Sequence, residues 1–196
     1  MKTVEFFWDI GSTNTYFALH LIRPIVARHD ARLVMHPFNL GYVFRHHDYS
    51  LKDEPPAKMR NRLDDLARWA VKYGLPFRLP DKFPIKTSRA LRGAIAMRGF
   101  GLEAEYIRVI FRRYWEENDP SIAEAEGLEA VARELGVDPQ AFLAACDNEP
   151  VRQALIDSTQ QGLERGVFGA PSFIVEGELY WGKDRMDFIE DSLSRA

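Results

Sequence analysis

The sequence predicts an α/β protein in which a strand–helix–strand unit and a strand–strand–helix unit enclose a block of helices. Three observations carry this reading. Short β-prone runs sit only near the two ends of the chain, and residues from about Pro56 to Arg165 show helical periods with almost no strand signal. No internal repeat, low-complexity tract or clear linker interrupts the chain. Its 196 residues are 46% hydrophobic, enough for one sizeable core or a core with a small satellite domain.

The elements follow in order. Val4 to Trp8 is nearly continuous in apolar residues, as expected of a strand buried on both faces. Asp9-Ile10-Gly11-Ser12-Thr13-Asn14 breaks it with turn and cap residues. From Thr15 to about His29, the residues Tyr16, Phe17, Leu19, Ile22, Ile25 and Val26 keep helical spacing, with a kink expected at Pro24. Arg32 to Phe38 reads as a second strand, parallel to the first through a right-handed crossover. Helices are predicted over Ala57–Tyr73, Thr87–Arg98, Leu102–Glu117, Ile122–Leu135, Pro139 to about Cys146, and Val151–Arg165. Ser172–Val175 and Glu178–Trp181 flank Glu176-Gly177 as a hairpin, and a last helix carries Phe188, Ile189 and Leu193 on one face.

Composition removes several function classes. Lys+Arg is 26 against 29 Asp+Glu, so no basic excess points to nucleic acid. An aromatic share of 12% argues against disorder. No run approaches the roughly 20 apolar residues of a membrane helix. The N-terminus carries Glu5 inside its apolar run and does not read as a signal peptide, so the expectation is a soluble cytoplasmic protein. Cys146 is the one cysteine, which excludes an intrachain disulfide and zinc sites built on paired cysteines. His46-His47-Asp48 lacks a third ligand at supporting spacing and reads as a surface loop.

The chemistry concentrates in three separated segments. Asp9 to Tyr16 lies at a strand-to-helix junction; Gly169-Ala170-Pro171-Ser172 precedes a strand; Trp181-Gly182-Lys183-Asp184-Arg185 joins a strand to a helix. In this order they resemble the thioredoxin superfamily. More narrowly they resemble the 2-hydroxychromene-2-carboxylate isomerase and kappa-class glutathione transferase group of the DsbA-like set. The resemblance runs from Val4 to about Leu193. It implies a thioredoxin-like fold with an all-helical insertion: residues 1–50 and 166–196 as one discontinuous domain, 51–165 as the insertion.

The resemblance also implies glutathione as cofactor. Where thioredoxin-like redox proteins open the first helix with Cys-x-x-Cys, this chain has Ser12-Thr13-Asn14-Thr15. Disulfide exchange requires a thiolate, so that activity is excluded. A serine hydroxyl at a helix N-terminus can instead donate to an anion beside free backbone N–H groups. A free thiol titrates near ~8.5, and such surroundings lower that value. Ser12 is thus read as the residue that stabilises glutathione's thiolate, with no His–Asp pair to make it a nucleophile. The same serine serves equally as a plain N-cap.

Pro171 resembles the family's cis-proline, and a cis bond would free the Ala170 backbone to pair with an extended peptide. Asp184 and Arg185 match the family's Asp-Arg after the hairpin: Asp184 for the γ-glutamyl ammonium, the helix start for its carboxylate. They also read as a capping aspartate and a solvated arginine. Lys58 matches a family lysine that reaches the glycyl end, and reads otherwise as an exposed helix-start lysine. Lys183 stands in the same segment where Asn or Ser is usual. Trp181 is expected to pack, Tyr114 and Trp115 to fill the helical core, and Asp64-Asp65 to be a surface charge pair. The segment from about Asn39 to Glu54 is expected to be a loop covering an acceptor pocket.

Further departures are Thr13 for the usual proline, Thr15 for a second serine, and Asp53 for a common asparagine. The leading expectation is a glutathione-dependent isomerase of 2-hydroxychromene-2-carboxylate or a related unsaturated keto acid from aromatic breakdown. A kappa-like transferase conjugating electrophiles, and a non-catalytic peptide-binding protein, are the alternatives. Homodimers are expected by resemblance, and no nucleic-acid or membrane partner is expected.

Overall fold

A computed structural model describes residues 1–50 and 54–195. The Asp53 departure lies outside the described residues. Four strands form one sheet in the order β2-β1-β3-β4. β1 (Thr3–Trp8) pairs in parallel with β2 (Arg32–Pro37), and β3 (Ser172–Val175) runs antiparallel to both β1 and β4 (Glu178–Trp181). This is the thioredoxin-like arrangement expected from the strand–helix–strand and strand–strand–helix ends.

β1 lies inside the sheet, with Val4, Phe6, Phe7 and Trp8 at most 1% exposed. Its side chains alternate between two apolar layers. Phe6 and Trp8 join Phe173 and Val175 in the larger core, while Phe7 joins Phe38, Val43, Ala170 and Ile174 on the other face. The Phe6 and Phe173 rings stack across paired strands at 4.5 Å. β3 and β4 meet through Glu176 and Gly177 at φ 49° and 82°, the positive pair that a two-residue hairpin turn needs.

The helix α1 (Thr13–Arg28) opens at Ser12 and runs through Pro24. α3 (Pro56–Tyr73), α4 (Ser88–Arg98), α5 (Glu103–Trp115), α6 (Ala125–Glu134), α7 (Pro139–Asp147) and α8 (Glu149–Glu164) connect β2 to β3. Tyr114 and Trp115 are fully buried there, as expected.

Three expectations need correction. Leu40–His46 is a helix, α2, inside the segment read as loop; Asn39 caps it by accepting the Tyr42 N–H. The helix expected from Ile122 is split into a 3-10 turn, Pro120–Ala123, and α6, because the backbone of Glu124 between them is extended at φ −110° and ψ 165°. In the last helix, α9 (Met186–Ser194), Ile189 and Leu193 are buried four residues apart, whereas Phe188 is rotated off that face and 58% exposed.

The topology gathers the three chemical segments at one end of the sheet. Phe7 pairs with Ser172, and Ser172 pairs with Trp181. The turn after β1, the segment before β3 and the segment after β4 therefore leave the sheet side by side.

Candidate active site

The turn between β1 and α1 is built around a buried carboxylate. Asp9 is 1% exposed. Its Oδ1 accepts the Gly11 N–H at 2.9 Å; its Oδ2 accepts the Leu40 N–H at 2.9 Å and the Thr87 hydroxyl at 3.1 Å. One side chain thus joins the Ser12 turn to the start of α2 and the cap of α4. Burial raises its pKa from 3.8 to about 6, although all three donors favour the ionised form. The helical block also grips this turn through the Trp115 indole, which donates to the Ile10 carbonyl at 2.9 Å. A Cβ on Gly11 would meet Thr87 Cγ2 at 3.0 Å, so a larger residue there would press on the side chain that holds Asp9.

Ser12 is the N-cap of α1: its Oγ accepts the Thr15 N–H at 3.3 Å. The same hydroxyl donates to the Ala170 carbonyl at 2.9 Å. The Ala170–Pro171 peptide is cis. Ser12, Ala170 and Pro171 therefore meet, but the Ala170 carbonyl is not wholly free. One of its two lone-pair positions holds the serine proton. Among the described residues no base touches Ser12 to activate it as a nucleophile. Cys146 is fully buried, and burial first, then Asp147, pushes its thiol up to about 12. That thiol is inert in exchange chemistry.

Lys183 is 9% exposed, far more enclosed than a post-hairpin lysine read from sequence. Its Nζ reaches Asn14 Oδ1 and Asp65 Oδ2, each at 3.1 Å, and lies 4.7 Å from the centroid of the Trp69 ring. Asp65 is thus not a freely solvated surface charge: it pins α3 to the segment after β4. The neighbouring Asp184 and Arg185 are exposed and pair with each other at 2.7 Å. Lys58 is also exposed and pairs with Glu54 at 3.1 Å, in a cluster that includes Arg62 and Tyr49. Among the described residues, no hydrogen bond or ion pair joins Lys58 to the Ser12 turn.

Trp181 does not pack into the core. It is 51% exposed and meets the exposed Phe168 ring at 5.2 Å, directly over Gly169. A cavity of about 610 Å³ runs between α1, α3 and α9, with Trp69, Lys72, Lys183 and Asp184 in its lining. Ser12 and Pro171 do not line it; the two regions meet through Lys183 and Asn14. His46 and His47 close α2 and meet each other at 5.0 Å.

Sequence reasoning gave Asp9, Thr87 and Trp69 no role of their own and read Asp65 as a surface charge. Only Asp9 carried a signal, as an acid ending an otherwise apolar strand immediately before a glycine-containing turn. The others come from the helical block, where no local pattern marks which surface faces the site.

Residues 3–194 match the DSBA-like thioredoxin domain family, and the chain belongs to it. Among curated relatives, it is 26% identical to a 2-hydroxychromene-2-carboxylate isomerase of Sphingobium xenophagum, over 98% of both chains. It is 27% identical to glutathione S-transferase kappa 2 of Caenorhabditis elegans, over 98% of this chain and 92% of that one. Its structure is similar to that of a 2-hydroxychromene-2-carboxylate isomerase at TM-score 0.84 and 26% identity, covering 98% of this chain and 95% of the other.

Proposed function

We propose that this protein is a glutathione-dependent isomerase of 2-hydroxychromene-2-carboxylate or a related unsaturated keto acid. The observation that carries the reading is the Ser12 hydroxyl, held at the start of α1 and 2.9 Å from the carbonyl that precedes a cis-proline. The isomerase-named relatives, matched nearly end to end, support it.

The residues present fit glutathione. Ser12 offers a hydroxyl, the first turn of α1 offers N–H groups and the positive end of the helix dipole, and Ala170 offers its carbonyl beside the cis-proline. Asp184, Arg185 and Lys183 offer both signs of charge for a zwitterionic end, and Lys58 a cation for a carboxylate. When bound, glutathione would supply a sulfur that adds reversibly to a conjugated carbon, allowing the former double bond to rotate.

The chain's own part is positioning and charge stabilisation. Ser12 would turn its O–H from the Ala170 carbonyl toward the sulfur, holding the thiolate once the thiol proton has passed to solvent water. That rotation would release the Ala170 carbonyl to accept a peptide N–H, so sulfur binding and peptide binding are coupled through one hydroxyl. Asp9 and Trp115 would keep the turn still while this happens. Ser12 would remain protonated throughout.

The kappa-transferase relative favours a second reading, irreversible conjugation by the same residues. Product analysis separates them. Incubation with 2-hydroxychromene-2-carboxylate and glutathione should yield isomerised product and return all glutathione free. Accumulating conjugate would establish the transferase reading, and no glutathione-dependent turnover with either acceptor class would defeat both.

A further inference from the structure

A second cluster lies on the face of the helical block formed by α2, α4 and α8. Three arginines converge there on one carboxylate. Arg89 Nη2 lies 3.0 Å from Asp147 Oδ2, and Arg92 Nη2 lies 2.7 Å from Oδ1. Arg152 donates its Nε–H to the Asp147 carbonyl at 2.9 Å, with Nη2 3.8 Å from Oδ1. No other acid pairs with these arginines among the described residues. Three guanidiniums thus share one carboxylate among the described residues, which leaves two positive charges there without a paired acid.

Arg92 carries a second anomaly. Its Nε is buried and has no hydrogen-bond partner among the described residues. A buried guanidinium N–H without an acceptor is costly, and such a group is normally satisfied by water or a ligand.

These charges border an apolar space. Arg92 and Arg152 line a cavity of about 250 Å³ together with Tyr42, Ser88, Leu155 and Ile156. Leu155 is buried and forms the floor, while Tyr42 and Ile156 stand at the rim, 41% and 55% exposed. Thr159, also in the lining, adds no polar capacity: its hydroxyl already accepts from the Asn39 N–H and donates to the Leu155 carbonyl. Asn39 and Ser88 also line it, with the Asn39 Oδ1 already accepting the Tyr42 N–H, so the charged groups of the lining are the two guanidiniums, set against apolar walls.

We propose that this cavity is a binding site for a small aromatic carboxylate, its acid group on Arg92 and Arg152 and its ring against Leu155, Tyr42 and Ile156. Guanidinium is the side chain best matched to a carboxylate, and the surplus charge selects an anion over its neutral analogue. The apolar walls select a ring-bearing acid over acetate. The site stands on the arginines and the cavity alone and holds whether or not glutathione binds at Ser12.

The test is calorimetric titration of the full chain, without glutathione, with 2-naphthoate, 2-naphthamide and acetate. Naphthoate should bind, with the amide and acetate each weaker by about tenfold or more. Arg152→Gln should weaken naphthoate binding about fivefold, and Arg92→Gln about tenfold or more, with Ser12→Ala unchanged. Arg152 is half exposed, so its variant keeps the test sound should Arg92→Gln fail to fold. Absent naphthoate binding, equal binding of the amide, or naphthoate binding unaltered in Arg152→Gln would overturn the proposal. Inhibition kinetics distinguish the source of the acid: competition with a chromene carboxylate marks the acceptor's own seat, and non-competitive behaviour marks a separate effector.

Discussion

The turn after β1 and the segment after β4 leave the same end of one sheet, yet they are held in opposite ways. The first is locked by donors from Gly11, Leu40, Thr87 and Trp115, converging on a buried carboxylate and an adjacent carbonyl. In the second, Lys183 is enclosed by Asn14, Asp65 and Trp69, while Asp184 and Arg185 reach into solvent and satisfy each other. Rigidity is concentrated where a reacting sulfur would need sub-ångström placement. Adjustable charge is concentrated where a zwitterionic end needs only to be held.

The largest break in this comparison is Ser12→Ala. Removing one preorganised donor to a developing or resting anion costs about two to three orders of magnitude, so kcat/KM for glutathione-dependent turnover should fall by that much. Near-wild-type turnover in a folded variant would place the chemistry elsewhere.

Asp9→Asn breaks the lock and leaves the serine. It retains one acceptor for three donors, and glutathione-dependent kcat should fall about tenfold with a smaller change in KM. The same variant tests the carboxylate's cost to folding. Asp9 titrates near 3.8 when unfolded and at about 6 when folded, so the folded chain binds the proton more tightly. Its stabilising contribution is present in full below 3.8 and is lost as pH rises through 6, a change of about 3 kcal/mol. Urea unfolding from about pH 4 to about pH 7 should show this decline in the wild type and not in Asp9→Asn. Parallel pH profiles would mean that Asp9 is not buried as described.

Smaller effects belong to the second region. Lys183→Met removes an enclosed cation and frees Asp65, and should weaken glutathione binding about fivefold by calorimetry. Asp184→Asn alters an exposed pair and should weaken it about twofold at most, more at low salt than at high salt. If Asp184→Asn exceeds Lys183→Met, the contrast between the two regions is reversed.

Much of this was legible in the chain. The nearly continuous apolar run of β1, the Glu176-Gly177 turn and glycine stops after helices are local signals, and they place the strands and most helices correctly. Ser12, Pro171 and Asp184 stand out by order along the chain, because the topology turns that order into adjacency. The enclosure of Lys183 was not legible. It depends on Asp65 and Trp69, more than a hundred residues away, and a lysine after a hairpin looks solvated until its neighbours are known. Helix α2 was hidden because it is only seven residues long, buries Val43 alone, and ends in a polar His-His-Asp tract. Trp181 packs as expected, but on the exposed Phe168 ring and not in the core, because β4 is an edge strand.

The central claim is most directly tested by ultraviolet difference titration of glutathione bound to the wild type and to Ser12→Ala. The account predicts a thiolate band in the wild type well below the roughly 8.5 of a free thiol, returned close to that value in the variant. Binding without a thiolate band near neutral pH, or the same titration in both proteins, would contradict it.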